Sequence, residues 1–201
     1  MVLLLTLLFS SLLLPSFLYL PSPEEFPPAA LAMPWDKERR DIVGELARTH
    51  GAKVPARLVS SAKSWLCHAG IDRRSGVLPW QAPDEVRRVS PLDASAKYLQ
   101  HLRESWDQAF AAGGKAKKDL ALASQDVVVT VPASFDAAAR DLTLEAAAKA
   151  GLGEVTLLEE PQAALYAWLE QAGESFRKKV KVGEVILVVD VGGGTSDFSL
   201  I

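Results

Sequence analysis

The residues best suited to chemistry lie at the end of the sequence, in the segment ILVVDVGGGTSDFSLI at positions 186–201. Two apolar, strand-like runs flank three glycines and Thr195, with Asp190 closing the first run and Asp197 opening the second. Consecutive glycines tolerate positive φ, and without side chains their N–H groups can converge on one anion. A hydroxyl and two carboxylates beside them suit a phosphate with Mg²⁺, which prefers oxygen ligands and retains water. The segment therefore predicts a phosphate and magnesium site; the alternative is a glycine-rich turn with solvent-facing acids.

Several other kinds of site are excluded. No Lys-Ser or Lys-Thr follows the glycines, so the segment is not a Walker loop, and the glycines lead into a strand rather than the helix of a dinucleotide fingerprint. One cysteine and three scattered histidines provide neither a disulfide framework nor zinc-site spacing. A formal net charge of −3 gives no electrostatic reason to expect nucleic acid as the main partner.

The elements before this segment alternate between strand and helix patterns. The β-branched run Val127–Val131 predicts a strand buried on both faces. Further along, the pattern predicts a helix over 135–150, a strand over 155–158, a helix over 160–171 and a strand over 184–191. Strand, helix, strand, helix, strand is the order of an α/β layer structure.

The first half of the chain is less regular. Residues 17–20 predict a buried strand, and a loop rich in proline follows it over 21–35. Helices are predicted over 36–51 and near 57–68, each closed by a glycine. Ser90-Pro91-Leu92-Asp93 has the residues of a capped helix start, and apolar residues at steps of three or four continue the helix to Phe110.

The N-terminus stands apart in composition. Its first 23 residues carry no charge, and a run of this length is long enough to span a membrane. A signal peptide, however, has Lys or Arg ahead of its apolar run, and this chain has neither there. Pro15 also interrupts the helical pattern. We expect residues 1–14 to be an atypical leader and the protein to be cytoplasmic. The alternative is that residues 1–20 direct export or anchor the protein in a membrane.

Three segments together resemble one known family. The hairpin DVGGGTSDFSLI resembles the second phosphate loop of the actin-like ATPase fold. Upstream lie VVVTVPASFDAAARDLTLEAAAKAGL at 127–152 and VTLLEEPQAALYAWL at 155–169. In this order and spacing they resemble the nucleotide-binding domain of Hsp70-type chaperones. The resemblance implies an α/β, partial actin-like ATPase (ribonuclease-H-like) fold, with lobe I over 15–182 and the first hairpin of lobe II over 183–201.

The resemblance also implies a role for particular residues around bound ATP or ADP and Mg²⁺. Thr195 would contact the γ-phosphate, while Asp190 and Asp197 would hold Mg²⁺ through waters and orient the attacking water. Glu160 matches the family's acid beside the metal, and Lys63, in SSAKSWL, matches its catalytic lysine. The residues that would hold the phosphates by backbone N–H are Gly192, Gly193 and Gly194.

Two further residues match the family's coupling machinery. Pro132 and Arg140 correspond to a proline switch and its relay arginine, which connect the nucleotide state to the partner domain. Each of these residues also has a plainer interpretation. Pro132 could end a strand, and Arg140 could be a surface residue of a helix. Glu160 could be an acid at a helix N-terminus, where the helix dipole favours it, and Lys63 could be a solvated helix lysine.

The chain also departs from the family's pattern. Hsp70-type proteins have a first phosphate loop, Asp-x-Gly-Thr, ahead of the strand at 15–20, but neither Asp nor Gly occurs before Glu24. The sequence stops just after the second phosphate loop, without the adenosine-binding residues or the peptide-binding domain. Because phosphoryl transfer needs charge stabilisation from several directions, we expect a fragment with little or no hydrolysis.

Three functions remain open at this point. The first is an Hsp70-like chaperone ATPase fragment, whose parent family binds unfolded peptide clients and co-chaperones. The second is a bacterial actin-like filament protein, which would use the same fold and a similar hairpin. The third is an interaction domain tethered to a membrane by the N-terminal run.

Overall fold

The computed structural model describes residues 14–27, 29–112, 115–191 and 196–201. The predicted leader at 1–14 therefore lies almost wholly outside the described residues, and the division into lobe I at 15–182 and lobe II at 183–201 stays a prediction. Among the described residues, no helix is both long and apolar enough to cross a bilayer.

The strand predicted at 17–20 is confirmed as the centre of a small sheet. Strand β1 (Leu18–Tyr19) pairs antiparallel with β2 (Ile42–Val43) on one side and β3 (Leu58–Val59) on the other. Both residues of β1 have no exposed surface. Side chains on both faces of this strand thus become core.

The two helices predicted in the first half are wrong over much of their length. Helix α1 covers only Glu45–Gly51, because residues 42 and 43 pair with β1 and Gly44 adopts a φ of 89°. In place of the helix near 57–68 there is a 3₁₀ turn (Pro55–Arg57), then β3, then the short helix α2 (Ala62–Trp65). Pairing with the buried strand β1 outweighed helix propensity at both places.

Helix α3 (Pro91–Trp106) begins as predicted. The Ser90 hydroxyl accepts a hydrogen bond from the Asp93 backbone N–H at 2.9 Å and donates to the Asp93 carboxylate at 2.7 Å. The first bond satisfies one of the backbone N–H groups that a helix leaves without partners, and the second fixes the orientation of the capping hydroxyl. A π-helical turn (Asp107–Ala111) continues α3 where regular helix was predicted.

A parallel strand–helix–strand unit follows. Strands β4 (Val127–Val131) and β5 (Val155–Glu159) pair in parallel and are joined by helix α4 (Ala137–Lys149), which packs against α3. The prediction that β4 is buried on both faces is wrong, because burial alternates along it and Val128 is 41% exposed. The main core of this unit consists of Leu66, Leu92, Ala96, Val131, Phe135, Ala139, Leu142 and Ala146.

The C-terminal part contains two helices and a hairpin. Helix α5 (Glu160–Ala172) starts directly after β5, and α6 (Phe176–Lys179) is a single turn. Strands β6 (Leu187–Val191) and β7 (Ser196–Leu200) then pair antiparallel, and α5 packs against β6. The remaining elements are the 3₁₀ segments Lys115–Leu120, Leu122–Ser124 and Gly173–Ser175.

Candidate functional site

The two acids of the predicted phosphate segment lie directly opposite each other. In the register of β6 and β7, Asp190 pairs with Asp197. Alternation along each strand places both on the same face as Val188 and Ser199, while the opposite face carries exposed apolar side chains. Directly opposed side chains in an antiparallel pair have Cβ atoms about 5 Å apart, so two carboxylates there repel each other unless a cation lies between them.

This pair of carboxylates fits Mg²⁺ held through water. Asp190 is exposed and Asp197 half-buried, which leaves room for hydration around an ion. Within the described residues, no group of three or more His, Cys, Asp or Glu side chains could enclose a metal. Two carboxylates without a full protein cage suit Mg²⁺, which is usually bound by one or two carboxylates and phosphate oxygens with its waters retained.

The turn that would hold the phosphate itself is not described. Gly192, Gly193, Gly194 and Thr195 lie outside the described residues, and their predicted roles stay predictions. The strands on either side bring Val191 and Ser196 together as cross-strand partners.

A second part of the predicted site forms between two distant helices. Lys63 in α2 and Glu160 at the start of α5 make an ion pair between Nζ and Oε1, although 97 residues separate them in the chain. The Lys63 side chain is 51% exposed and that of Glu160 is 19% exposed. Glu160 also lies in the first turn of its helix, where the helix dipole favours a negative charge, and Pro161 follows it.

One of the two predicted switch residues, Arg140, is bonded to the residue just before α5. Pro132 is buried immediately after β4, and its carbonyl accepts a hydrogen bond from the Phe135 N–H at 3.1 Å. Arg140 in α4 donates through Nε to the Phe135 carbonyl at 3.2 Å and through Nη2 to Glu159 Oε1 at 2.8 Å. Arg140 is therefore not a free surface residue, because it joins the turn after Pro132 to the residue just before Glu160.

Three participating residues were not predicted from the sequence. Glu159 pairs with Arg140, and Arg73 pairs with Asp136, the residue that caps α4. An acid before an alanine-rich helix is a recognisable N-cap signal, so Asp136 was detectable as a cap. Nothing in the local pattern indicates that an arginine 63 residues earlier reaches it.

Among the described residues, packing links the two parts of the predicted site. Helix α5, which begins with Glu160, packs against β6, which carries Asp190. No hydrogen bond or ion pair between described residues joins the Lys63–Glu160 pair to either aspartate of the hairpin.

A cavity of about 970 Å³ lies away from all of these residues, between the proline-rich loop and the segment before β2. Its charged lining residues are Glu24, Lys37, Glu38, Arg39, Arg40, Arg57, Glu85 and Arg87. Arg39 pairs with Glu104, which also pairs with Arg103, and Arg87 pairs with Asp41, which also pairs with Lys97. None of the predicted site residues that the structure describes lines this cavity.

Comparison with known proteins gives concordant matches. Residues 36–201 match the family model described as Hsp70 protein. The chaperone protein HscA of Salmonella paratyphi C (strain RKS4594) is 37% identical over 167 residues, which is 82% of this chain and 26% of that protein. HscA of Enterobacter sp. (strain 638) is 37% identical over 161 residues, 79% of this chain and 25% of the relative. The chain thus spans about a quarter of the length of these curated relatives.

Proposed function

The chain belongs to the Hsp70 family, and from this premise we propose that it binds the phosphates of ATP or ADP, with Mg²⁺, through the hairpin at 190–197. Family membership implies an actin-like ATPase fold, with which the mixed α/β architecture agrees. The observation that carries the proposal is the cross-strand opposition of Asp190 and Asp197 beside the glycine-rich turn. In this proposal the N–H groups of residues 192–194 and the Thr195 hydroxyl hold phosphate, and the aspartates hold the waters of Mg²⁺.

Lys63 and Glu160 are proposed as the catalytic partners of this hairpin. Their ion pair gives the lysine a defined position, and a positioned ammonium group can stabilise charge on a transferred phosphoryl group. Glu160 would balance the lysine charge and accept hydrogen bonds from water around the metal. When bound, Mg²⁺ would neutralise negative charge on the phosphate oxygens.

Pro132 and Arg140 are proposed as the coupling switch. The support is the contact of Arg140 with Glu159, which neighbours Glu160 in the chain. A change at Glu160 on nucleotide binding would therefore reach Arg140 and, through its hydrogen bond to the Phe135 carbonyl, the turn that begins at Pro132.

We propose that these 201 residues hydrolyse ATP slowly or not at all. Phosphoryl transfer requires charge stabilisation around the whole transition state, and the sequence before Glu24 contains neither Asp nor Gly for a first phosphate loop. Binding of phosphates by the second loop does not require that segment.

The function of the whole protein is proposed at the level of its family: a molecular chaperone that couples ATP hydrolysis to peptide clients and co-chaperones. The cytoplasmic location expected from the sequence stays a prediction. The family matches give no support to the filament protein or the membrane-tethered domain.

Calorimetry with Mg-ATP on the full 201-residue chain tests the proposal. Thr195→Ala and Asp190→Asn should each weaken Mg-ATP affinity at least about tenfold, because each removes a charged or charge-assisted contact with phosphate or hydrated metal. Ser196→Ala is the matched control, since Ser196 lies next to the turn on the exposed face opposite the aspartates. Unchanged affinity in both site variants, or no Mg-ATP binding by the wild-type chain, would contradict the proposal.

A further inference from the structure

Three charge pairs join three separate segments of the chain into a closed ring. They are Lys63–Glu160, Arg140–Glu159 and Arg73–Asp136. The first pair joins α2 to the start of α5, and the second joins the residue before α5 to α4. The third pair joins Asp136, the residue before α4, to Arg73 in the segment that follows α2. The proposed function uses the first two pairs and leaves the third unexplained.

The third pair is a bidentate clamp, in which the Asp136 side chain is 53% exposed. Arg73 donates from Nη1 to Asp136 Oδ1 at 3.1 Å and from Nη2 to Oδ2 at 2.9 Å, and its Nε donates to the His68 carbonyl at 3.4 Å. The Arg73 side chain is only 13% exposed. Two parallel charge-assisted bonds fix direction as well as distance, which a lysine at this position cannot do.

Asp136 holds the helix as well as the arginine. Its Oδ1 accepts a hydrogen bond from the Ala139 N–H at 2.6 Å, so it is the N-cap of α4. The bonds from Arg73, and after them the bond from Ala139, hold the pKa of the Asp136 carboxyl below its ordinary value. The clamp therefore attaches the segment after α2 to the first turn of the helix that carries Arg140.

We propose that Arg73 is a positioning residue for Lys63. By clamping the segment after α2 to the cap of α4, it holds Lys63 against Glu160 and makes any shift of the turn after Pro132 move the lysine as well. This role rests on the proposed function, since it gives the switch residues a second route to the catalytic lysine that does not pass through Glu159.

A neighbouring ion pair provides the matched control. Arg74 pairs with Glu145, which lies farther along the same helix α4, so both arginines tie the same loop to the same helix. The Arg74 side chain is 55% exposed and is not bonded to the cap. If anchoring the loop were all that mattered, loss of either arginine would have a similar effect.

The test measures the position of Lys63 directly. In the full chain, lysines are dimethylated with ¹³C-formaldehyde, which preserves their charge, and the Lys63 resonance is assigned with Lys63→Arg. Glu160→Gln defines the resonance of Lys63 without its partner. Arg73→Gln and Asp136→Asn should move the Lys63 resonance towards that position, and Arg74→Gln should leave it unchanged. Asp136→Asn keeps a capping side chain, so it tests the clamp even if Arg73→Gln disturbs folding.

The single cysteine gives an independent readout. Cys67 lies between Lys63 and Arg73 and packs against the core around α4. Burial and then the Asp136 charge raise the pKa of its thiol, while Arg73 and Lys63 lower it. A purely electrostatic effect of Arg73→Gln would therefore slow alkylation by iodoacetamide. Opening of the clamp should instead accelerate alkylation roughly fivefold, against less than about twofold for Arg74→Gln.

Each outcome decides the proposal. A Lys63 resonance that stays at its wild-type position in Arg73→Gln and Asp136→Asn, or that does not move even in Glu160→Gln, would overturn it. So would equal responses to Arg73→Gln and Arg74→Gln. Failure of the nucleotide proposal is distinguishable, because it appears as missing Mg-ATP binding in calorimetry while the Lys63 resonance still responds to Arg73.

Discussion

Stability should fall in mild acid because of one half-buried histidine. His101 lies in α3, its ring centroid is 6.1 Å from that of Trp35, and its Nδ1 has no hydrogen-bond partner among the described residues. Burial, and after it the positive charge of Arg39, lowers the pKa of His101 to about 4, against the opposing effect of Glu104. The ring is therefore neutral in the folded protein at pH values where it is charged in the unfolded chain.

The sign and size of the effect follow from this difference. At neutral pH the ring is uncharged in both states, so it does not affect the free energy of unfolding. As the pH falls below about 6.5, the unfolded chain takes up a proton first, and the native state loses stability until the folded ring is protonated near pH 4. The full difference in pKa between the folded and unfolded states corresponds to roughly 3 kcal/mol of unfolding free energy. Solvent screening at this partly exposed side chain reduces the expected loss to about 2 kcal/mol.

Urea denaturation at pH 7.5 and pH 4.5 measures this loss. His101→Gln and His101→Phe remove the titrating group, the first with a polar side chain and the second with a ring of similar shape. Whatever their stability at pH 7.5, both variants should lose about 2 kcal/mol less than the wild type on acidification. Because all three proteins have the same carboxylates, equal losses in the wild type and both variants would refute the reasoning.

Two further predictions concern packing and charge. Leu142→Ala should lower the free energy of unfolding by about 2–4 kcal/mol, because Leu142 is 5% exposed and lies in the main core. Leu144→Ala in the same helix should lower it by less than about 1 kcal/mol, because Leu144 is 40% exposed. Similar losses for the two variants in urea denaturation would contradict the described burial. A double-mutant cycle with Lys63→Met and Glu160→Gln should give a coupling energy of only about 0.5–1 kcal/mol, because the lysine is half exposed; a coupling of zero would mean that the pair does not form in solution.

Local patterns were sufficient where a few neighbouring residues determine the structure. Ser90 and Asp93 cap α3 as predicted, because both partners lie within one helical turn. The hairpin strands around the glycines, the parallel unit from β4 to β5 and the start of α5 near Pro161 also follow the sequence pattern. In each case hydrophobic periodicity, caps and turn residues agree with one another.

Local patterns failed where distant segments compete for the same residues. Ile42 and Val43 have helical spacing with the residues after them, yet they pair with β1 and shorten α1 to its last turns. In β4, Val128 is exposed although its β-branched neighbours suggested burial on both faces, since one neighbouring strand is described and one face is uncovered. A sequence pattern does not state which segment will cover a given face.

The sequence by itself determined the family, the glycine-rich hairpin and the candidate residues, because motif chemistry depends on residue types at short spacing. Only the tertiary structure decided which of those residues meet. Lys63 reaches Glu160 across 97 positions, Arg140 reaches Glu159, and Arg73 reaches Asp136, and none of these partners is specified by local pattern. Charges on flexible side chains form specific pairs only after packing of the apolar core has set the path of the backbone. The ring of charge pairs is therefore determined by the tertiary structure and not by local sequence.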